Sequence, residues 1–391
     1  MSDSLALYVH WPFCKAKCPY CDFNVHLNNR EDDATWISAY LKALASYASR
    51  MGQGRVVESI FFGGGTPSLM APALVAALLD GLTKYFKLSP TLEVTLEANP
   101  TSSEMDKFRD FKTAGVNRLS VGVQALNAED LAFLGRQHSA EEGLKAIDMA
   151  QTLFTRSSFD LIYARPGQTL QAWEAELDRA ITLAAGHLSL YELTIEERTA
   201  FHKRRAKGEF TLPDDDTAAD FYTLTFDKMA EAGMPAYEIS NYGAKGQECR
   251  YNMMTWEYKD YIGIGPGAHG RITKTDGTKW ASLEIRTPAQ WLTALNEKGT
   301  GAEEFYELTP QDIFEETIIA GLRMTSGMPF PNGLNHTALE SFKTEGWIEY
   351  DTTTLRLTPE GLLRYDAITR ALLSGSNRSS LTANGRQNIS A

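Results

Sequence analysis

The chain has 391 residues, 43% of them apolar and 23% charged, enough to bury a sizeable core and more in keeping with two or three domains than with one. Its 38 Lys and Arg are outnumbered by 50 Asp and Glu, and the net charge of -12 argues against a nucleic-acid partner, because affinity for a phosphate backbone is dominated by cationic contacts. The N-terminus, Met1-Ser2-Asp3-Ser4-Leu5, has no basic leader region and no uncharged apolar run reaches the roughly 18 to 20 residues of a membrane span, so a soluble cytoplasmic protein is expected.

Over the first 190 or so residues, short apolar runs alternate with longer stretches of helical periodicity, the pattern of a parallel sheet with crossover helices. Strands are predicted at Leu5 to His10, Val57 to Phe62, Leu92 to Ala98, Arg118 to Val123, Ser158 to Ile162 and His187 to Tyr191. Helices are predicted at Trp36 to Met51, Ala71 to Phe86, Ser102 to Ala114, Ala140 to Leu153 and Leu170 to Ala184, where apolar residues recur every three or four positions. Thr101 with Glu104 three residues on reads as a capping box.

Six such units fit an incomplete (β/α) barrel or an open doubly wound sheet, and in either the ligand sits at the carboxyl ends of the strands. The unusual polar residues do follow the strands. A cysteine loop comes after the first and Gly63-Gly64-Gly65-Thr66-Pro67 after the second; Glu97 ends the third, Gln124 follows the fourth and Asp160 lies in the fifth.

Beyond Tyr191 the alternation stops, and the barrel is expected to end. A charged stretch runs from Glu196 to Glu209, a helix from Thr217 to Ala232, then a Gly- and aromatic-rich segment to Gly270. Helices at Asp312 to Arg323 and Asn335 to Glu345, a hairpin of Trp347 to Tyr350 with Leu355 to Leu357, and a last helix from Pro359 suggest a small winged-helix-like α+β module. Residues 309–375 carry five Lys and Arg against nine Asp and Glu, so this module is expected to be a structural appendage rather than a DNA reader. The expected division is a core barrel over 1–235, a barrel extension over 236–300, the module over 301–375 and a disordered Ser-, Asn- and Gly-rich tail over 376–391.

Three of the four cysteines, Cys14, Cys18 and Cys21, lie within eight residues at the spacing C-x3-C-x2-C. Loops that short rarely close as disulfides, so the thiols are read as metal ligands. A four-iron cluster normally takes four thiolates, and a loop that supplies three leaves one iron open for a non-protein ligand. The alternative is a structural zinc site completed by His10 or His26.

The string Tyr8-Val-His-Trp-Pro-Phe-Cys14-Lys-Ala-Lys-Cys18-Pro-Tyr-Cys21 with Gly63-Gly64-Gly65-Thr66-Pro67 resembles the radical S-adenosylmethionine superfamily, and within it the oxygen-independent coproporphyrinogen III oxidase family. The resemblance continues through Glu97-Ala-Asn-Pro100, Arg118-Leu-Ser-Val-Gly-Val-Gln124, Gly135-Arg136, Asp160-Leu-Ile-Tyr163 and Gly263-Ile-Gly-Pro-Gly-Ala-His269. It implies a partial (β/α)6 barrel, a [4Fe-4S] cluster on Cys14, Cys18 and Cys21, and one or two molecules of S-adenosylmethionine. It further implies that Gly64, Gly65 and Thr66 meet the methionine end of the cofactor, that Tyr8 and Glu97 contact the first molecule, and that Gln124, Arg136 and Asp160 contact a second. Tyr20 is expected to shield the cluster from water.

Two departures from the oxidase stand out. The oxidase branch has a further cysteine where this chain has Phe23, and a longer segment before the cysteine loop than the thirteen residues here. Both resemble the heme chaperone (HemW-type) branch, which binds heme and passes it to apo-hemoproteins. That resemblance implies heme and its recipients as partners, leaves peripheral contact with membrane-bound recipients and the choice of monomer or dimer open, and leaves radical enzyme activity undecided. The branch's His-Asn-x-x-Tyr-Trp motif corresponds to Tyr251-Asn252-Met253-Met254-Thr255-Trp256, without the His or the Tyr. Heme candidates are therefore Tyr251, Asn252, Trp256, Cys249 and His269, with Met253 and His10 as alternatives. Arg165 is expected either to add a cation for a propionate or to reach solvent. The competing functions are a coproporphyrinogen III oxidase, which turns propionates into vinyls in porphyrin biosynthesis, and a zinc-stabilised binding module.

Overall fold

The computed structural model describes residues 3–27, 29, 31–51 and 54–374; the tail expected over 376–391 lies outside the described residues. Strand β1 (Ser4–Trp11) leads to α1 (Asp33–Arg50), β2 (Val56–Gly64) to α2 (Pro72–Leu82), and β3 (Lys87–Ala98) to the short α3 (Ser102–Met105) and α4 (Phe108–Thr113). Next come β4 (Arg118–Gln124) with α5 (Ala128–Phe133) and α6 (Ala140–Leu153), β5 (Arg156–Tyr163) with α7 (Leu170–Leu183), and β6 (His187–Glu192). Strands β1 to β6 pair in parallel in chain order, so their carboxyl ends share one rim.

The alternation within these strands separates two faces. Leu5, Leu7 and Val9 of β1, Leu119, Val121 and Val123 of β4, and Leu188 and Leu190 of β6 are buried against the helices. Removing each such side chain from water contributes about 1.5–3 kcal/mol. The residues between them face inward: Tyr8 and His10, Phe61, Glu97, Ser120 and Gln124, Asp160, Ser189 and Tyr191. A parallel sheet packed on both faces would be apolar throughout. Here the inner face is polar, which reserves it for a ligand.

The sheet continues past β6. After α8 (Ala200–Ala206) and α9 (Asp215–Glu231), β7 (Asn241–Gly243) pairs antiparallel with β6. After α10 (Arg250–Trp256), β8 (Tyr261–Ile264) adds to the opposite edge in parallel with β1. Strands β9 (His269–Thr273), β10 (Lys279–Glu284) and, beyond α11 (Pro288–Lys298), β11 (Ala302–Glu307) extend that edge as an antiparallel meander. Strands β7 and β8, of three and four residues, are too short to give a period to read.

The last module comprises α12 (Pro310–Gly321), β12 (Met328–Pro329), α13 (His336–Thr344), β13 (Ile348–Tyr350), β14 (Thr354–Leu357), α14 (Pro359–Leu362) and α15 (Tyr365–Leu373), with its three strands in the order β12-β14-β13. Its core of Ile318, Leu322, Leu339, Leu355 and Ile368 also takes in Tyr222 of α9. The module is tied to α10 by Arg323, which lies 4.2 Å over the Trp256 ring and pairs at 2.9 Å with the fully buried Glu238.

The expected capping box at Thr101 does not form. Glu104 is 1% exposed; it accepts from the Ser68 hydroxyl, from the Asn99 backbone N–H at 3.1 Å and, on Oε1, from the Thr101 hydroxyl at 3.0 Å, so the two side chains bond each other and neither caps a backbone N–H as the box requires. Arg165 neither reaches solvent nor offers a free cation. It is 2% exposed, and its guanidinium bonds Asp130 at 2.8 Å, Glu176 at 2.5 Å and the Ile162 carbonyl at 2.9 Å, locking α5 and α7 to the end of β5.

At Gly263, β8 has no room for a side chain against β9: a Cβ there would lie 1.8 Å from the His269 carbonyl oxygen. Gly263→Ala is expected to cost about 1–3 kcal/mol, the range for overpacking a site that cannot yield, and the shift of the urea midpoint at unchanged slope measures it.

Candidate functional site

The cysteine loop leaves β1 at Trp11 and is pinned by backbone pairing. The Cys14 N–H donates to the His26 carbonyl at 3.0 Å and the His26 N–H to the Pro12 carbonyl at 2.7 Å, while Gly65 N–H reaches back to Trp11 O at 2.7 Å and Thr66 N–H to Phe13 O at 2.9 Å. The glycines are steric requirements. A Cβ on Gly65 would meet the Phe13 carbonyl oxygen at 2.7 Å, and one on Gly64, where φ is +105°, the His10 ring at 2.5 Å.

Cys14, Cys18 and Cys21 are half-buried free thiols. Burial pushes Cys21 up to about 12 and raises Cys14, the latter opposed by a bond from Thr66. Thr66 Oγ1 lies 3.3 Å from Cys14 Sγ, and Arg136 NH1 lies 3.4 Å from Cys18 Sγ. Among the described residues no three His, Cys, Asp or Glu side chains close on one point as the donors of a single ion do. His10 is also occupied, its Nε2 at 3.1 Å from Asn24 O and its Nδ1 at 3.3 Å from the Tyr8 hydroxyl. His10 is therefore not free to complete the zinc tetrad weighed above, whereas Nε2 of His26 is buried without a partner. Three thiols on one loop, two of them met by hydrogen-bond donors, fit a polynuclear cluster bound one thiolate per iron.

The neighbouring positions fit a polar organic ligand. Gln124 has φ +72°, a left-handed conformation that costs a non-glycine residue energy, and its Oε1 is buried without a partner. Gly122 makes room beside it, since a Cβ there would stand 3.1 Å from the Gln124 amide nitrogen. Arg136 uses its terminal nitrogens on Cys18, on Tyr20 Oη at 3.4 Å, on Asn99 Oδ1 at 2.6 Å and on the Gly122 carbonyl at 2.7 Å, leaving Nε–H buried and unpaired. The expected fork on a ligand carboxylate would require it to release two of these. Tyr20, besides facing Arg136, packs its ring 6.3 Å from that of Phe201.

Deeper on the inner face, burial first and the Asp160 charge second push Glu97 up to about 8, against a bond from the Gly64 N–H. Burial raises Asp160 to about 6, opposed by the Ser189 and Ser120 hydroxyls and by Arg118 and Arg136. An aromatic wall stands beside them: Tyr251 lies 5.0 Å from Phe61, 5.9 Å from Tyr8 and 6.4 Å from Tyr261, ring centre to ring centre.

The heme candidates are dispersed. Cys249 is 1% exposed and its thiol donates to Glu93 Oε1 at 3.7 Å, with burial raising it to about 11. Trp256 is buried under Arg323, Asn252 is half-buried, and burial holds the Tyr251 phenol well above its ordinary value. His269 is exposed at the start of β9, on the rim. Crowding by protein, then the Arg271 and Arg286 charges, lower its imidazole to about 4, so it is neutral with a lone pair at physiological pH. Asn24, which drew no notice in the sequence, carries the cysteine loop to this corner: its Nδ2 donates to Pro266 O at 2.9 Å and Arg286 O at 2.8 Å. Asn99 was likewise read only as part of a string, although its place directly after strand-end Ala98 was a signal for it.

The family described as the Radical SAM superfamily matches residues 8–180. The chain is 41% identical over 286 residues to the heme chaperone HemW of Escherichia coli, covering 73% of this chain and 74% of that protein, and 32% identical over 378 residues to the heme chaperone HemW of Bacillus subtilis, covering 94% and 98%. It is 35% identical over 392 residues to the mitochondrial radical S-adenosyl methionine domain-containing protein 1 of Danio rerio, covering 94% and 86%. Among solved structures, the coproporphyrinogen III oxidase HemN of Escherichia coli shares the fold with a TM-score of 0.76 at 21% identity, over 95% of this chain and 91% of that one.

A carboxyl raised on folding binds its proton more tightly in the folded than in the unfolded chain, so it subtracts stability as pH climbs from its ordinary value near 4.5 toward its folded value. For Glu97 that window runs to about 8. Glu97→Gln is therefore expected to raise the melting temperature of the ligand-free protein at pH 8 and to leave it unchanged near pH 4, as circular dichroism melts across that range will test.

Proposed function

Because the chain belongs to the radical S-adenosylmethionine superfamily, and within it to the branch whose members carry the name heme chaperone HemW, we propose that it binds heme and delivers it to apo-hemoproteins, with a [4Fe-4S] cluster and S-adenosylmethionine held at the same rim. Cys14, Cys18 and Cys21 hold the cluster. Gly64, Gly65 and Thr66, with Tyr8 and Glu97, line the first S-adenosylmethionine position; Gln124, Arg136 and Asp160 line a second. When bound and reduced, the cluster supplies one electron to a sulfonium carbon-sulfur bond, the chemistry of the cofactor rather than of the protein.

The observation that carries the heme reading is the corner where the cysteine loop meets the segment before His269. Asn24 fastens the loop to the Pro266 carbonyl, and three residues on stands an exposed, neutral imidazole, the state in which His ligates iron. The other candidates serve this reading less well: the Cys249 thiol is committed to Glu93, Trp256 to Arg323, and the Tyr251 phenol keeps its proton among aromatic rings. Tyr251, Phe61 and Tyr8 offer instead an apolar wall for a flat macrocycle or adenine. Among the described residues no helix is long and apolar enough to cross a membrane, so recipients in a membrane would be met from its surface.

The test is a heme titration of anaerobically reconstituted protein beside a product assay with coproporphyrinogen III, S-adenosylmethionine and a reductant. Saturable heme binding without decarboxylated product is expected, and His269→Ala should weaken binding at least about tenfold, or 1.4 kcal/mol. Protoporphyrinogen formation would overturn the reading in favour of the oxidase. Replacing any one of Cys14, Cys18 and Cys21 with Ala should abolish the cluster's visible absorbance; iron and sulfide retained in all three variants would refute the cluster.

A further inference from the structure

A closed hydrogen-bonded chain joins two of the three cluster thiols through residues that are far apart in sequence. It runs from Cys14 Sγ to Thr66 Oγ1 at 3.3 Å, from Thr66 Oγ1 to Asn99 Nδ2 at 3.0 Å, from Asn99 Oδ1 to Arg136 NH2 at 2.6 Å, and from Arg136 NH1 to Cys18 Sγ at 3.4 Å. Its polarity is determined at every link. A guanidinium has donors only, so the Asn99 atom facing Arg136 must be the carbonyl oxygen. The amide nitrogen then faces Thr66 and must donate, which makes the Thr66 hydroxyl the acceptor in that bond. The hydroxyl's own proton is thereby left for Cys14. Asn99 is in turn held from behind, its backbone N–H bonded to Glu104 Oε2 at 3.1 Å, and Glu104 is itself buried and fixed by Ser68.

We propose that Asn99 is a positioning residue that aims the Thr66 hydroxyl at Cys14 and the Arg136 guanidinium at Cys18, and so sets the reduction potential of the cluster those thiolates hold. This rests on the cluster reading above. The physical reason is charge: a one-electron reduction from an external low-potential donor such as dithionite adds a negative charge shared with the thiolate sulfurs, and donors pointed at sulfur stabilise the more negative state. Thr66 is 3% exposed and Arg136 is half-buried, so water screens these bonds little. Asn99 touches neither sulfur and acts only through the two donors it orients.

The experiment is a redox titration followed by electron paramagnetic resonance, on the full chain reconstituted anaerobically with iron and sulfide, without S-adenosylmethionine. Thr66→Val removes one donor without changing shape or charge, and at a fixed ambient potential should lower the ratio of reduced to oxidised cluster about tenfold, which is 59 mV for one electron. Thr66→Ser keeps the hydroxyl and should match the parent, a rescue that a merely structural role would not give. Asn99→Ala should also lower the potential, and the double variant with Thr66→Val should fall short of the sum, because part of the Asn99 effect passes through the missing hydroxyl. A parent that takes up the cluster while Thr66→Val stays within about twofold of it, or a Thr66→Ser shift as large as that of Thr66→Val, overturns the proposal and leaves the cluster reading standing. A parent that takes up no iron and sulfide overturns both.

Discussion

The structure hangs on the register of β1. This strand pairs in parallel with β2 on one side and with β8 on the other, bringing residues about 250 positions apart onto neighbouring strands: Val9 stands opposite Phe62 and also opposite Ile264. Three segments of the candidate site leave from the ends of these strands. The cysteine loop continues β1, the glycine run ends β2, and the Gly265-Pro266-Gly267 turn follows β8. A slip of one residue would exchange the two faces of β1, turning Leu7 and Val9 inward and driving Tyr8 and His10 into the helices. The burial of the outer face thus also fixes the chemistry of the inner one.

That inner face is polar beyond what stability would select. Glu97 and Asp160 are held there at a cost, one raised to about 8 and the other to about 6, and Gln124 is held in a left-handed conformation. Strain and desolvation concentrated on one surface of a well-packed barrel are the usual mark of a site prepared for a ligand. The buried acid-base pairs elsewhere serve a different end. Arg165 pairs with Asp130 and Glu176, and Arg323 with Glu238, and these pairs hold helices in place.

The six parallel strands could be read because each carries a run of Leu, Val, Ile or Phe long enough to set a period, and α6 lies where its periodicity places it. The same reading failed where the period is short. Strand β8 has four residues and β7 three, and no window of that length separates a strand from a loop. The single helix expected from Ser102 to Ala114 is broken at Asp106 and Lys107, where Glu104 is drawn into the interior and the first turn is spent on Ser68 and Asn99. At the site, residues adjacent in sequence were legible as strings, whereas partnerships across the fold were not. Nothing in the sequence joins Asn99 to Arg136, 37 positions on, or Asn24 to Pro266, 242 positions on. Arg165 was misjudged for the same reason: its partners lie on two different helices.

The contact between Gly263 and His269 separates two kinds of freedom. What Gly263 cannot tolerate is displacement of the carbonyl at position 269, and that carbonyl is further fixed by the pairing of His269 with Leu283. The imidazole takes no part in either restraint, and its side chain stands exposed. Backbone and side chain at this one residue are thus under independent control, and descendants of this chain could exchange the group presented at the rim while the glycine beneath it stayed locked. A substitution at this rim position would change the exposed group without any rebuilding of the sheet.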